Sequence, residues 1–148
     1  MKKSTLIEII SVLMALLWAY AACSKLVHYE TFKGQLNNSP FLYFVSGLLA
    51  IAVPLIEIGI ALLLMINNTR VKGLYLSVIL LSLFIIYIIA ILNFAPRIPC
   101  SCGGLIQALG WKGHIFFNLF FIIIGIIAIK LSGDKENRAY PTKLNSIS

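Results

Sequence analysis

Four long apolar blocks, separated by short polar segments, dominate the pattern of this sequence. A helix needs about 20 consecutive apolar residues to cross a hydrocarbon core of about 30 Å, and each block supplies roughly that length. The apolar residues do not recur at the spacing that marks one buried face of a soluble helix. The pattern therefore predicts an all-α integral membrane protein, a four-helix transmembrane bundle with spans at about 5–27, 41–66, 71–95 and 113–131.

The polar segments predict how the spans are connected. Residues 28–40 form a polar outer loop that ends in Asn37-Asn38-Ser39-Pro40, and Asn67-Asn68-Thr69 predicts a tight turn. We expect residues 1–131 to form one membrane domain. Beyond it, charged residues mixed with Ser, Asn and Pro predict a disordered cytoplasmic tail at 132–148.

The amino-acid composition also indicates a membrane protein. The chain is 60% hydrophobic and 11% charged, with a mean hydropathy of +0.97, so it lacks the polar surface of a soluble globule. A net charge of +7 is compatible with nucleic acid binding. However, the basic residues flank the apolar blocks and form no patch interleaved with aromatic residues, so no nucleic acid partner is expected.

The basic residues instead predict orientation, because cytoplasmic loops carry an excess of Lys and Arg. With the N-terminus inside, eight of the 12 basic residues are cytoplasmic and four are outside. Both termini are therefore expected in the cytoplasm, and the loop before the fourth span is expected to face the periplasm or the exterior. The cytoplasmic set is Lys2, Lys3, Arg70, Lys72, Lys130, Lys135, Arg138 and Lys143, and the outer set is Lys25, Lys33, Arg97 and Lys112.

That outer loop carries Cys100-Ser101-Cys102, followed by Gly103 and Gly104. A disulfide prefers Cα atoms about 5.5 Å apart and a specific torsion, so a Cys-x-Cys disulfide is strained. Strain makes a disulfide a labile oxidant rather than a structural staple. The pair therefore indicates thiol-disulfide redox chemistry on the outer face, where disulfides persist. Soft-metal binding and two unconnected thiols remain as alternatives.

Polar residues of the fourth span lie directly after this loop. Trp111, His114 and Asn118 are spaced by three and four positions, which places them on one helix face. An imidazole there can accept a proton from a thiol or a bound quinol. The alternative is that His114 and Trp111 are ordinary residues of the membrane interface.

Two further ionisable residues fall inside predicted spans. Glu57 lies near the middle of the second span, where a charge costs at least about 2.5 kcal/mol, so it is expected to face the bundle interior. It either functions there or makes a structural hydrogen bond between helices. Lys25, near the outer end of the first span, either snorkels to the headgroups or contacts an anionic head or a quinone carbonyl.

Cys23 is the third cysteine and lies near the outer end of the first span. It either resolves a mixed disulfide with the loop pair or fills space in the helix. Lys2, Lys3 and the apolar run that ends at Cys23 also match a cleaved lipoprotein signal. Glu8, Tyr20 and the three later spans favour a retained helix.

Several of these residues together resemble a known group of membrane proteins. Ala22-Cys23-Ser24-Lys25-Leu26 and Pro54-Leu55-Ile56-Glu57 resemble the DoxX-like proteins. The more specific block, Cys100-Ser101-Cys102-Gly103-Gly104 with Trp111, His114 and Asn118, resembles the MauE branch of that group. The resemblance covers residues 6–129 approximately. Ala22 replaces a Gly that is usual in the DoxX-like proteins.

The resemblance implies a four-helix inner-membrane protein. MauE proteins are associated with maturation of the disulfide-rich small subunit of methylamine dehydrogenase, beside a thioredoxin-like partner. DoxX-like relatives are linked to quinone-coupled oxidation of sulfur compounds. By position, Cys100 and Cys102 are then the redox pair, and the polar positions of the pattern are Lys25, Glu57, His114 and Asn118.

The sequence hypothesis is therefore a membrane thiol-disulfide redox protein that supports disulfide formation or maturation of exported proteins. Its catalytic residues are expected to be Cys100, Cys102 and His114. A quinone is the expected cofactor and no metal is expected; the predicted quinone contacts are Lys25, Glu57, Trp111 and Asn118. The expected partner is a periplasmic thioredoxin-like protein or an exported protein with cysteines. The alternatives are a non-catalytic membrane assembly factor and a small metal-handling or transport protein.

Overall fold

The structure is a computed structural model that describes residues 2–94 and 105–139, with side chains over 2–94 and 110–134. Within these ranges all regular secondary structure is helical. A short 3-10 turn, Tyr43–Val45, precedes the third α-helix. The α-helices are α1 Lys3–Val27, α2 Tyr29–Asn37, α3 Ser46–Met65, α4 Arg70–Phe94 and α5 Leu105–Ala139.

Four segments of the described chain are long and apolar enough to cross a membrane: Lys3–Val27, Tyr43–Met65, Arg70–Phe94 and Gly110–Asp134. The predicted all-α membrane bundle is thereby confirmed. The first and last spans begin and end at the same end of the bundle, because Lys3 Nζ lies 3.5 Å from Asp134 Oδ2. The C-terminal ends of α1 and α4, at Val27 and Phe94, are consequently at the opposite end.

The fourth span differs from its prediction at both ends. α5 is broken at Gly110, whose φ of 66° and ψ of 175° lie in a region that L side chains rarely adopt. The span therefore begins at Gly110 rather than near 113. The helix then continues to Ala139, so the first part of the segment expected to be disordered is helical. Residues 140–148 lie outside the described ranges, and a disordered tail stays a prediction for them.

The segment expected to be a polar outer loop contains helix α2. Phe32 and Leu36, four residues apart, form its buried face and pack against Ala50 of α3. Leu49 and Val53 of α3 also lie against this small cluster. α2 therefore lies across the end of the bundle that is opposite Lys3 and Asp134.

The half of the bundle near Lys3 and Asp134 has an apolar core. Met14 of α1, Leu64 of α3 and Leu74 of α4 are almost completely buried in it. Trp18 bounds this core, and its indole nitrogen donates a hydrogen bond of 2.8 Å to Ser77 Oγ. The polar atom of this buried ring is therefore paired, as buried polar groups usually are.

α3 and α4 approach each other closely at Gly73. A Cβ atom built on Gly73 would lie 3.0 Å from both Cγ and the backbone nitrogen of Leu64. Small residues commonly allow such close helix packing in membranes, where van der Waals contact drives association. A side chain at this position can fit only if the backbone of α3 moves.

We therefore expect Gly73→Ala to destabilise the protein by about 1–3 kcal/mol, the usual cost of overpacking. Gly59→Ala is the matched control, since nothing lies within 4 Å of a Cβ atom at that position of α3. Unfolding by sodium dodecyl sulfate in mixed micelles measures the stability of both variants. Equal stability of the two variants would contradict the close contact.

Candidate functional site

A cavity of about 470 Å³ lies between the helices at the end of the bundle that carries α2. This volume is within the range of about 300–1,000 Å³ that is typical of small-molecule sites. All five helices contribute to its lining, which is mostly apolar and aromatic. The polar and charged side chains of the lining are Tyr20, Ser24, Lys25, His28, Thr31, Gln35, Glu57, Tyr87, His114 and Asn118.

An ion pair between α1 and α3 is part of the cavity lining. Lys25 Nζ lies 2.8 Å from Glu57 Oε1. Glu57 is completely buried, whereas the Lys25 side chain is 20% exposed. A charge in the middle of a bilayer costs about 2.5–3.5 kcal/mol, and a buried carboxylate tolerates that position when an ammonium group neutralises it. The prediction that Glu57 faces the bundle interior is confirmed, and its partner is identified.

Lys25 is held in place from several helices. It belongs to the last turn of α1, and its Nζ also lies 3.4 Å from the carbonyl oxygen of Ala21. The ring centroids of Phe32 in α2 and Phe84 in α4 lie 5.8 Å and 5.9 Å from the ammonium nitrogen, within the distance of cation–π attraction. Lys25 is therefore turned into the bundle and does not snorkel to the headgroups.

The described part of α5 contributes one polar face. Trp111, His114 and Asn118 all line the cavity, as their spacing along the helix predicts. Asn118 is 3% exposed, and the other two are half-buried. The four residues predicted as cofactor contacts, together with His114, are thus brought to one cavity although they come from three helices.

Two polar atoms of these residues are buried without a hydrogen-bond partner among the described residues. They are Glu57 Oε2 and Asn118 Nδ2. Leaving a buried donor or acceptor unpaired costs about 1–3 kcal/mol. One atom is an acceptor and the other is a donor, so the cavity offers both kinds of hydrogen bond to a bound molecule.

Tyr87 and Trp18 are among the cavity residues that the sequence analysis missed. Tyr87 Oη donates a hydrogen bond of 2.9 Å to Ser39 Oγ, which joins α4 to the segment that follows α2. Trp18 lies between the cavity and the apolar core. A hydroxyl group inside an apolar span was the available signal for Tyr87, as the carboxylate was for Glu57.

Of the three cysteines, only Cys23 lies within the described residues. Cys23 is exposed on α1 and does not line the cavity. Cys100 and Cys102 lie outside the described residues, so the proposed redox pair stays a prediction. Their segment connects α4 to α5 along the chain. Ile91 of α4 and Trp111 of α5 both line the cavity. Within the described ranges, no three His, Cys, Asp or Glu side chains are arranged to hold a metal ion.

Comparison with known proteins identifies the family. The family model described as methylamine utilisation protein MauE matches residues 3–131. A curated relative, the methylamine utilization protein MauE of Paracoccus denitrificans, is 32% identical over 104 residues, which are 68% of this chain and 56% of the relative. The chain therefore matches little more than half the length of that relative. No solved structure matches. With its four membrane-spanning helices, this chain belongs to the MauE family of membrane proteins.

Proposed function

We propose that this chain is a membrane thiol-disulfide redox protein that supports disulfide formation or maturation of exported proteins. Cys100 and Cys102 form its exchanging pair, and a quinone binds in the cavity. The observation that carries the proposal is the cavity itself: a ligand-sized space inside a membrane bundle, with a buried ion pair and two unpaired polar atoms. The two helices that flank the cysteine segment, α4 and α5, both line this cavity.

The lining fits a quinone in several respects. Apolar and aromatic walls suit a ring with a hydrocarbon tail. Asn118 Nδ2 can donate a hydrogen bond to an oxygen of the quinone ring. Lys25 adds a positive charge, and Trp111 and Phe84 offer flat apolar surfaces. When bound, a quinone supplies an acceptor for two electrons and two protons.

The cysteines perform the exchange with the partner. The Cys102 thiolate attacks a disulfide of a thioredoxin-like partner, which forms a mixed disulfide and releases one partner thiolate. Cys100 then attacks Cys102 Sγ, which releases the second partner thiolate and leaves a disulfide between Cys100 and Cys102. The reverse sequence oxidises the partner by the same mixed disulfide. His114 accepts or returns the thiol proton in either direction.

The membrane orientation belongs to the same proposal. Both termini lie in the cytoplasm, and Cys100 and Cys102 face the periplasm from the bacterial inner membrane. The distribution of Lys and Arg supports this orientation. A periplasmic thioredoxin-like protein or an exported protein with cysteines is the partner. The family description supports a role in methylamine utilisation.

Cysteine alkylation in intact cells tests the proposal. We expect a membrane-impermeant maleimide to label Cys100 and Cys102 only after mild reduction, because the pair is periplasmic and forms a disulfide. Peptide mass analysis before and after reduction measures the labelling. Ser4→Cys is the topology control, since Ser4 is exposed at the end of the bundle that carries Lys3 and Asp134. It should react only after the cells are permeabilised.

The other outcomes separate the alternatives. Labelling without prior reduction means that the pair does not form a disulfide, and absence of labelling under both conditions means that it is not accessible from outside. Either result contradicts the redox proposal. The protein is then better described as an assembly factor or a metal-handling protein, and bound metal that is lost on Cys102→Ser distinguishes the latter.

A further inference from the structure

The two oxygens of Glu57 have different surroundings. Oε1 accepts the hydrogen bond from Lys25 Nζ at 2.8 Å, and Oε2 is buried without a donor among the described residues. An ionised carboxylate can only accept hydrogen bonds. As the carboxylate of the ion pair with Lys25, Glu57 accepts hydrogen bonds and donates none, so its free Oε2 can take a hydrogen bond from a donor group of a bound molecule.

Asn118 has the complementary requirement. Its Nδ2 is a buried donor without an acceptor among the described residues. Glu57 and Asn118 line the same cavity. A molecule that satisfies both must offer an O–H or N–H group to the carboxylate and an oxygen to the amide.

The two redox forms of a quinone differ in this property. A hydroquinone hydroxyl both donates and accepts, whereas a quinone carbonyl only accepts. A quinone can therefore satisfy Asn118, but it leaves Glu57 Oε2 without a donor. Resting on the proposed function, we infer that the cavity binds the hydroquinone form in preference to the quinone form, with Glu57 as the residue that discriminates between them.

This preference has a consequence for the direction of electron transfer. Tighter binding of the reduced form raises the reduction potential of the bound couple, by about 30 mV for each tenfold difference in affinity. A dithiol that becomes a disulfide loses two electrons and two protons, and a quinone that becomes a hydroquinone gains both. The site therefore favours disulfide formation over disulfide reduction.

Binding of 2-methyl-1,4-naphthoquinone and of its hydroquinone, under argon and in detergent micelles, tests the inference. Both tryptophans of the chain, Trp18 and Trp111, line the cavity, so quenching of tryptophan fluorescence corrected for ligand absorbance reports occupancy. A hydrogen bond to a charged group leads us to expect hydroquinone affinity about tenfold to a hundredfold higher.

Three variants assign the preference to particular atoms. Glu57→Gln introduces an amide that can donate to a carbonyl, so the affinity ratio should fall to about one or reverse. Glu8→Gln makes the same chemical change at an exposed position of α1 and should leave the ratio unchanged. Asn118→Leu should weaken the binding of both the quinone and the hydroquinone, because each offers an oxygen to the amide. The ratio of the two affinities should change by less than about threefold.

The outcomes distinguish this inference from the proposed function. If neither form binds, the quinone site of the proposed function is wrong. If the wild-type protein binds both forms equally, or binds the quinone more tightly, the site stands and the preference is refuted. The same conclusion follows if folded Glu57→Gln keeps the wild-type ratio. The wild-type ratio decides the question even if Glu57→Gln does not fold.

Discussion

Lys25→Met is expected to destabilise the protein by about 3–5 kcal/mol, the usual cost of removing one partner of a buried ion pair. Glu57 is completely buried, and Lys25 Nζ is the group that neutralises it at 2.8 Å. Without the ammonium, the carboxylate must remain charged in an apolar bundle or take up a proton. Unfolding in mixed micelles with increasing sodium dodecyl sulfate measures the loss.

Lys72→Met is the matched control. Lys72 is exposed at the start of α4, so its replacement should change the stability by less than about 0.5 kcal/mol. The double variant Lys25→Met with Glu57→Gln should recover most of the loss, because no buried charge is left unpaired. If Lys25→Met is no less stable than Lys72→Met, the ion pair does not hold α1 against α3.

The parts of the fold that were predictable from the sequence depend on patterns within one helix. Continuous apolar runs define the four spans, because the bilayer requires a minimum length of apolar helix. Trp111, His114 and Asn118 are on one face because their spacing fits the helical period. The inward direction of Glu57 follows from the cost of exposing a carboxylate to lipid.

The ion pair could not be predicted in the same way. Lys25 and Glu57 are separated by 32 positions and lie on different helices. Hydropathy gives the existence of the spans, but it does not give the rotation of each helix or the faces that meet. Glu57 was therefore predicted to face the bundle interior, whereas the identity of its partner required the packing of α1 on α3.

Helix α2 was missed for a different reason. Phe32 and Leu36 are the apolar residues that it buries, and two positions among polar neighbours give almost no periodic signal. The helix forms because these side chains reach the apolar surface around Ala50 of α3. Tertiary contact outweighs local propensity here, and the cavity gains a wall that the sequence pattern did not reveal.

Cys100→Ser is expected to trap a mixed disulfide on Cys102, the largest chemical effect that the proposed exchange predicts. The probe is glutathione disulfide, added to purified protein in detergent. Attack by Cys102 joins one glutathione to the protein and releases the other as a thiol. In the wild type, Cys100 then displaces the bound glutathione and closes the loop disulfide. Without Cys100 the adduct persists at close to one glutathione per chain, which intact-protein mass spectrometry measures.

The comparison variant is Cys102→Ser, which lacks the attacking thiol and should form little adduct. All variants carry Cys23→Ser, because the exposed Cys23 thiol also reacts with the probe. Persistence of the adduct in the protein that retains both loop cysteines would show that Cys100 does not resolve it. The cysteines would then be structural, and a non-catalytic assembly factor would be the better description. The same mixed disulfide is an intermediate in both directions of exchange. The Cys100→Ser experiment therefore tests thiol-disulfide exchange independently of the direction of electron transfer that the quinone sets.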